Sequence, residues 1–403
     1  MGVPDSIFAA TAATLGYLYQ LRYGLLIALR KQATGINWAI AIEGADDLEV
    51  FGPRSYELRQ LKHRAAGTTL TNADSDLWKT IRVWCESIAS GKTDPNTTSF
   101  LLITTANVAT DSIAEALTSK EDRDSGGVIE RLLEVASSST NKDNRLAYEA
   151  FKNLPEDKRR ALVDNIVCVP NSPDIAAARD EVEAKFRVNL QEELLDAYVE
   201  RVEGWWYERA VKCLSGEIAA IEGPEFDAFL SDLRDQFKPT NLPIDEDLLE
   251  MDDPEIDAHS NKIYVRQALL VRIGSYRLQK AIHDYLRAYA QRSRWLRDGF
   301  VVAGELKKYE RRLQEEWALI FHRWCDEMGQ DAADEKRLKI AQEVYAWAQE
   351  ASIDPIRRDC TEPFVIRGSL HMLADNQRIG WHPDYARLLR EVLEPSGAAG
   401  AAT

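Results

Sequence analysis

Between residues 11 and 33 the apolar positions Leu15, Leu18, Leu25, Leu26 and Leu29, with Arg22 between them, recur at helical spacing, which predicts one helix stopped by Gly35. The period then changes. Three short runs, WAIAIE (38–43), DDLEVF (46–51) and SYELRQLKH (55–63), are separated by the turn signals Gly44-Ala45 and Gly52-Pro53-Arg54. They predict an antiparallel meander. A second helix over 74–90 and the compact apolar run TSFLLITT (98–105), of strand length, follow.

From 110 to 240 the pattern is helical, broken by the polar stretch 137–141 and by VCVPNSPD (167–174), with a further strand expected at 166–169 to close the first domain. Within 240–259, LPIDEDLLEMDDPEIDAH sets acidic residues around prolines, a composition too poor in apolar surface to fold alone. It reads as an acidic linker or as a surface loop of one larger helical domain. Beyond it, Leu306, Tyr309, Leu313, Trp317, Ile320 and Trp324 form an apolar stripe that requires a facing helix, hence a helical bundle. The expected layout is an α+β domain over 1–175, a helical connector with the acidic linker over 176–259, and a mostly α-helical domain over 260–395. The end, EPSGAAGAAT, has the small-residue composition of a disordered tail.

With 403 residues, two or three domains are expected, and 45% apolar with 29% charged residues is the balance of a globular protein. No apolar run approaches the roughly 18 residues that cross a bilayer, and the first residues lack a basic segment followed by an apolar one, so a cytoplasmic protein without membrane contact is expected. Five scattered cysteines, never as CxxC, argue against a disulfide framework or a zinc ribbon. The net charge of −16 excludes a broad basic surface for nucleic acid, so any DNA contact must be local or assisted. It also keeps open a helical adaptor unrelated to DNA.

The hairpin carries the candidate chemistry. Side chains alternate along a strand, so Gln60 and Lys62 share a face, and Asp47 and Glu49 on the preceding strand share the face beside them. Glu43 ends the first strand near the same rim. Two readings fit these residues: a strand with a polar edge, or an acid followed by (Asp/Glu/Gln)-x-Lys on a helix, three-strand, helix, strand frame. The latter resembles the PD-(D/E)xK nuclease core, a restriction-endonuclease-like fold.

That resemblance implies metal-dependent phosphodiester hydrolysis, for which a hard Mg²⁺ (or Mn²⁺) ion needs oxygen ligands. Asp47, the Gln60 side-chain oxygen and the Leu61 carbonyl would supply them, with Gln20, Glu43 or Glu49 in addition. Lys62 would hold the attacking water or offset transition-state charge. His63, on the other face, reads as a solvent or packing residue.

GYLYQLRYGLLIAL (16–29), IEGADDLEVF (42–51) and LRQLKHR (58–64) together resemble the double-stranded DNA endonuclease domain of the Cap nuclease type, an effector of CBASS and Lamassu antiphage systems. QKAIHDYLRAYAQRSRWLRDG (279–299), ELKKYERRLQEEW (305–317) and PFVIRGSLHMLADNQRIGWHPDY (363–385) resemble a C-terminal domain of effectors in ABC-three-component systems. The fusion resembles the nuclease subunit of a Lamassu complex. Implied partners are an SMC-like ABC ATPase, a third small subunit and the DNA substrate, with homo-oligomerisation on activation. Substitution of Gln60 for an acid keeps a second reading open, a degenerate nuclease-fold scaffold that links the ATPase to DNA.

Two further groups carry paired readings. His371, Asp375, His382 and Asp384 are metal-ligand types, though a structural or docking cap is the plainer account, because Pro383 biases His382 to extended backbone. Arg287, Arg292, Arg294, Arg297, Lys307, Lys308, Arg311 and Arg312 are either a solvated helix face or a docking or DNA-tracking surface, with Arg292, Arg294 and Arg297 as its centre.

Overall fold

A computed structural model describes residues 5–188, 190–329, 331–350 and 353–393; the tail EPSGAAGAAT lies outside the described residues. The chain forms two compact units, Met1–Ser231 and Asp232–Thr403. Among the described residues no helix is long and apolar enough to cross a membrane.

The first unit is built on a mixed sheet. After helix α1 (Asp5–Gln32) come β1 (Ala39–Ile42), β2 (Leu48–Gly52), β3 (Ser55–Lys62) and β4 (Thr69–Leu70), then α2 (Ser75–Ala89), β5 (Thr98–Thr104) and β6 (Asn107–Val108). Four helices follow, α3 (Ile113–Ala116), α4 (Ser125–Ser138), α5 (Arg145–Asn153) and α6 (Glu156–Asn165). They lead to β7 (Ile166–Val169), α7 (Ile175–Phe186), α8 (Glu192–Leu214), β8 (Ile221–Glu222) and α9 (Gly223–Gln236), within which the division falls. The six-stranded order is β7-β5-β3-β2-β1-β8. β1, β2 and β3 form the antiparallel meander, whereas β3 pairs β5, and β5 pairs β7, in parallel.

Alternation along these strands feeds two apolar layers. Leu58, Phe100 and Leu102 join Trp78, Ile81 and Trp84 of α2 in one core. The residues between them turn to the other layer, where α1 lies with α7 and α8. Trp206 of α8 donates its indole N–H to the Leu21 carbonyl at 2.8 Å, and Arg22 meets Glu203 at 2.7 Å. Gly24 permits this approach, since a Cβ there would stand 3.2 Å from the Trp206 ring. Residues 176–231 therefore complete the first unit rather than connect two domains, and the boundary at 175 is corrected to one after Ser231. β8, only two residues long, carries no periodicity from which a sequence pattern predicts a strand.

The second unit is helical: α10 (Glu246–Leu249), α11 (Ile263–Leu270), α12 (Ser275–Arg297), α13 (Ala303–Met328), α14 (Asp334–Glu350), α15 (Pro363–Asp375) and α16 (Tyr385–Leu393). Leu306, Tyr309, Leu313 and Trp317 of α13 are buried as their spacing predicts, but Phe321 rather than Ile320 continues the stripe. α12 and α15 approach most closely at Gly368, where a Cβ would fall 2.1 Å from the Asp284 carbonyl oxygen.

The acidic segment is not a free linker. Leu242 and Leu248 are buried, Pro243 accepts the Trp295 indole N–H at 2.6 Å, and Asp245 and Asp247 bind Arg294. Its charge is answered by α12, which composition alone could not show.

Candidate functional site

The β2–β3 hairpin pairs Leu48 with Arg59 and Glu49 with Leu58, so Asp47, one residue before β2, falls beside Gln60. Its carboxylate closes the end of the hairpin: Oδ2 accepts the Leu61 amide N–H at 2.7 Å and Oδ1 accepts the Gln60 side-chain amide at 3.0 Å. Lys62 donates from Nζ to Gln60 Oε1 at 2.7 Å and stands 3.9 Å from Asp47 Oδ2. Asp47 and Gln60 are buried, while Lys62 keeps partial exposure at the rim. Asp47, Gln60 and Lys62 are thus brought together.

Asp46 belongs to the same cluster, and alternation hides it, because neighbours along an ideal strand face opposite ways. The chain is bent over 43–47, so Asp46 also turns to Gln60. Its Oδ1 accepts from Gln60 Nε2 and from the Asp47 backbone N–H, and its Oδ2 accepts the Trp84 indole N–H at 2.7 Å. No cation sits in this set of donors. Burial therefore dominates and lifts the Asp46 carboxyl to about 6, with the hydrogen bonds from Trp84 and Gln60 pulling it down and the Asp47 charge adding to the rise.

The remaining acids divide. Glu43, at φ 54°, has its carboxyl raised by desolvation and by the Asp47 charge, against the pull of Lys62 and of a hydrogen bond from Gln20. Gln20 of α1 thereby reaches the rim from the opposite layer, and its Oε1 is buried without a hydrogen-bond partner. Glu49 is a correction: its oxygens accept from the Ala45 amide and the Tyr56 hydroxyl, which commits it to holding the turn. His63 packs its ring 5.0 Å from that of Tyr19, with Nε2 buried and unpartnered.

Asp47, Gln60 and Glu43, with the orphaned Gln20 oxygen, offer oxygen atoms only, the donor type that suits a hard divalent ion. Among the described residues no three His, Cys, Asp or Glu side chains converge as a metal cluster. As placed, the Gln60 amide turns nitrogen toward both aspartates and oxygen toward Lys62, so ligation through Oε1 requires the amide to rotate.

The basic concentration resolves differently from its sequence reading. Arg292 is buried, with its guanidinium on Glu310, Ser369 Oγ (3.2 Å) and Met372 Sδ (3.3 Å). Arg294 is held by Asp245 and Asp247 at 3.1 and 2.6 Å, and Arg297 by Asp298 at 2.7 Å. Arg292 is thereby removed from any surface and Arg294 is held by acids of the same unit, while Arg297, beside its neighbour Asp298, stays exposed as on a solvated helix face.

In the C-terminal motif, His371 is fully enclosed among Tyr264, Tyr345 and Trp381, and burial lowers it to about 4. Asp375 accepts from the Tyr264 amide and the Tyr285 hydroxyl. Asp384 binds Arg337, and its N–H donates to His382 Nδ1. The four residues are engaged separately, as parts of the helical core and its cap.

Residues 264–389 match the family model of C-terminal domain 7 of the ABC-three component (ABC-3C) systems. Comparison with curated proteins gives no match. Among solved structures, the chain is similar to the Acinetobacter baumannii Cap4 SAVED/CARF-domain containing receptor. In the form with the cyclic trinucleotide 2'3'3'-cAAA the identity is 16% and the TM-score 0.33, over 57% of this chain and 48% of that one. A further structure of this receptor gives 14% identity and a TM-score of 0.33, over 64% of this chain and 61% of that one. The Moraxella osloensis Cap4 SAVED/CARF-domain containing receptor gives 14% identity and a TM-score of 0.32, over 64% of this chain and 59% of that one. The chain spans about half to three-fifths of the length of these structures, and at these TM-scores neither fold nor activity is transferred from them.

Proposed function

We propose that the chain is a metal-dependent DNA endonuclease effector of a three-component antiphage system of the Lamassu type. In this reading residues 1–231 carry a PD-(D/E)xK-like core and the second unit docks onto an SMC-like ABC ATPase and a third subunit. The observation that carries it is the convergence of Asp47, Gln60 and Lys62 at the end of one hairpin, with the Lys62 ammonium 2.7 Å from the amide oxygen and 3.9 Å from the carboxylate. The domain match over 264–389 supports the three-component setting.

A divalent ion held by Asp47, Gln60 and the Leu61 carbonyl would polarise the phosphoryl oxygen and acidify a water. Lys62 would stabilise the charge that grows on the phosphate, and rotation of the Gln60 amide would present Oε1 to the ion. The net charge of −16 disfavours spontaneous approach of duplex DNA, which supports activity that depends on partners or on self-association.

The orientation of Gln60, nitrogen toward both aspartates, favours a second reading, a catalytically degenerate scaffold that links the ATPase to DNA. Plasmid cleavage with Mg²⁺ or Mn²⁺ by the reconstituted complex separates the two. Nicking or linearisation lost in Lys62→Ala supports the enzyme. Equal cleavage by wild type and variant, or none in the activated complex, supports the scaffold.

A further inference from the structure

One face of the second unit opens into a cavity of about 380 Å³ whose lining includes Tyr276, Lys280, His283, Asp284, Arg287 and Arg367. Lys280, His283, Asp284 and Arg287 lie within two turns of α12, at spacings that set them on one side of the helix, and Arg367 reaches in from α15. Three permanent cations against one acid make the lining basic, inside a chain that is strongly acidic as a whole.

Two of the cations are already answered. Arg367 binds Asp284 at 2.5 Å, and Lys280 binds Asp253 at 2.5 Å. Arg287 is not. Its guanidinium carbon stands over the Phe364 ring, 4.2 Å from the centroid, its Nε is buried without a hydrogen-bond partner, and Asp284 and Glu362 act on it only at longer range. A stacked, planar fork of donors with no carboxylate is arranged for an oxyanion from outside the chain.

His283 gives a second, independent indication. Its side chain is nine-tenths buried, Nδ1 sits 3.3 Å from Asp253 Oδ1, and Nε2 is buried with no hydrogen-bond partner. With the Asp253 carboxylate beside it, Nδ1 is the ring nitrogen that favours the proton, which leaves Nε2 as an unanswered acceptor on a residue that lines the cavity. Such a group is costly to bury unless something protonated meets it.

We propose that this cavity is a binding site for a phosphate group carried by a small ligand, with Arg287 and Lys280 taking the oxygens and His283 Nε2 taking the proton that enters with it. A phosphate monoanion carries both acceptor oxygens for the guanidinium and a P–O–H donor for Nε2, whereas a carboxylate offers no donor. Around His283 the charged groups are Asp253 on the approach to α12, Lys280, Asp284 and Arg287 on α12 itself, and Arg367 on α15. Arg287 and Lys280 oppose a proton on His283 in the empty site, and a bound anion offsets them, so binding tightens as pH falls from 8 to 6.

The test is calorimetric titration of the full chain with inorganic phosphate at pH 6 and pH 8, with acetate as the carboxylate arm. Saturable phosphate binding, stronger at pH 6 and weakened about tenfold or more in Arg287→Gln, is the expected result. His283→Gln should reduce the pH dependence to the part that phosphate's own monoanion–dianion titration supplies. Lys280→Gln, at a more exposed position, should weaken binding without a change in the melting curve, which covers the case in which Arg287→Gln fails to fold. Acetate binding as tightly as phosphate, no saturable binding, or weak binding untouched by Arg287→Gln and Lys280→Gln (an adventitious ion only) would each overturn the assignment.

Discussion

The Asp47 carboxylate accepts the Leu61 backbone N–H at 2.7 Å, so the acid that sequence nominates for chemistry also terminates the strand that carries Lys62. Truncation at this position would leave a buried amide unpaired, at a cost of about 1–3 kcal/mol. Asp47→Ala therefore mixes stability with function. Asp47→Asn keeps an acceptor and removes the charge, and we expect it to lose cleavage while its unfolding midpoint stays near wild type. A folded, fully active Asp47→Asn protein would remove Asp47 from the proposed site.

Lys62→Ala is the cleaner probe. Its ammonium bonds only Gln60 Oε1 at short range and sits at a partly exposed rim, so stability should hardly change. Loss of one charge-stabilising donor typically lowers a rate by about 10²–10³. Cleavage assayed in the activated complex should fall by that factor, and a fall of less than tenfold would count against the proposed role.

Asp46 predicts a pH effect of definite sign. Its carboxyl rises from the usual 3.8 to about 6 in the folded chain, so the native state holds this proton more tightly than the unfolded state. Stability from this group is complete below about 4 and is lost as pH rises through 6. The lift corresponds to about 3 kcal/mol between those limits. Asp46→Asn cannot ionise, so relative to wild type it should gain stability from pH 4 to pH 7.5. Parallel denaturation profiles for the two proteins over this range would show that Asp46 is not the buried, uncompensated acid described.

How much of this was legible is best judged from these residues. The meander follows from alternation and turn chemistry, which are local, and so Asp47, Gln60 and Lys62 could be placed on one face without coordinates. Asp46 was not, because it joins them through a bend at 43–47 and a tryptophan 38 positions away. Glu49 looked equivalent to Asp47 by parity, yet the tight turn at Gly44, where a Cβ would fall 1.9 Å from Glu49 Oε1, draws it to the Ala45 amide instead. Charge clusters fare worst. The arginines of α12 read as one exposed patch, yet Arg292 is buried on Glu310 and Arg294 is bound by Asp245 and Asp247 of the acidic segment.

Arg292 makes that last point measurable. It is 4% exposed and is bound to Glu310. Arg292→Ala should destabilise the second unit by about 1–3 kcal/mol, because it empties a buried position and strips bonds from Ser369 and Met372 while Glu310 keeps Arg378. Arg297→Ala, whose side chain is 70% exposed beside Asp298, should fall within about 0.5 kcal/mol of wild type. Chemical denaturation of the two variants decides it, and similar small effects from both would restore the surface reading.

The corrected domain boundary leads to a truncation experiment. In the first unit α1 packs on the sheet and against α7 and α8: Trp206 covers Gly24 and bonds the Leu21 carbonyl, Glu203 answers Arg22, and β8 completes the β1 edge through Ala39–Glu222 and Ile40–Ile221. A fragment ending at 175 exposes the apolar flank of α1, leaves Arg22 without its carboxylate and opens a sheet edge rich in apolar residues, each a route to aggregation. A fragment ending at 231 keeps all of these contacts. We expect 1–231 to be recovered as a folded protein with one cooperative unfolding transition, and 1–175 to be insoluble or to unfold without cooperativity. Equal midpoints and amplitudes for the two fragments would mean that α7 and α8 are peripheral, and that the sheet with α1 and α2 is self-sufficient.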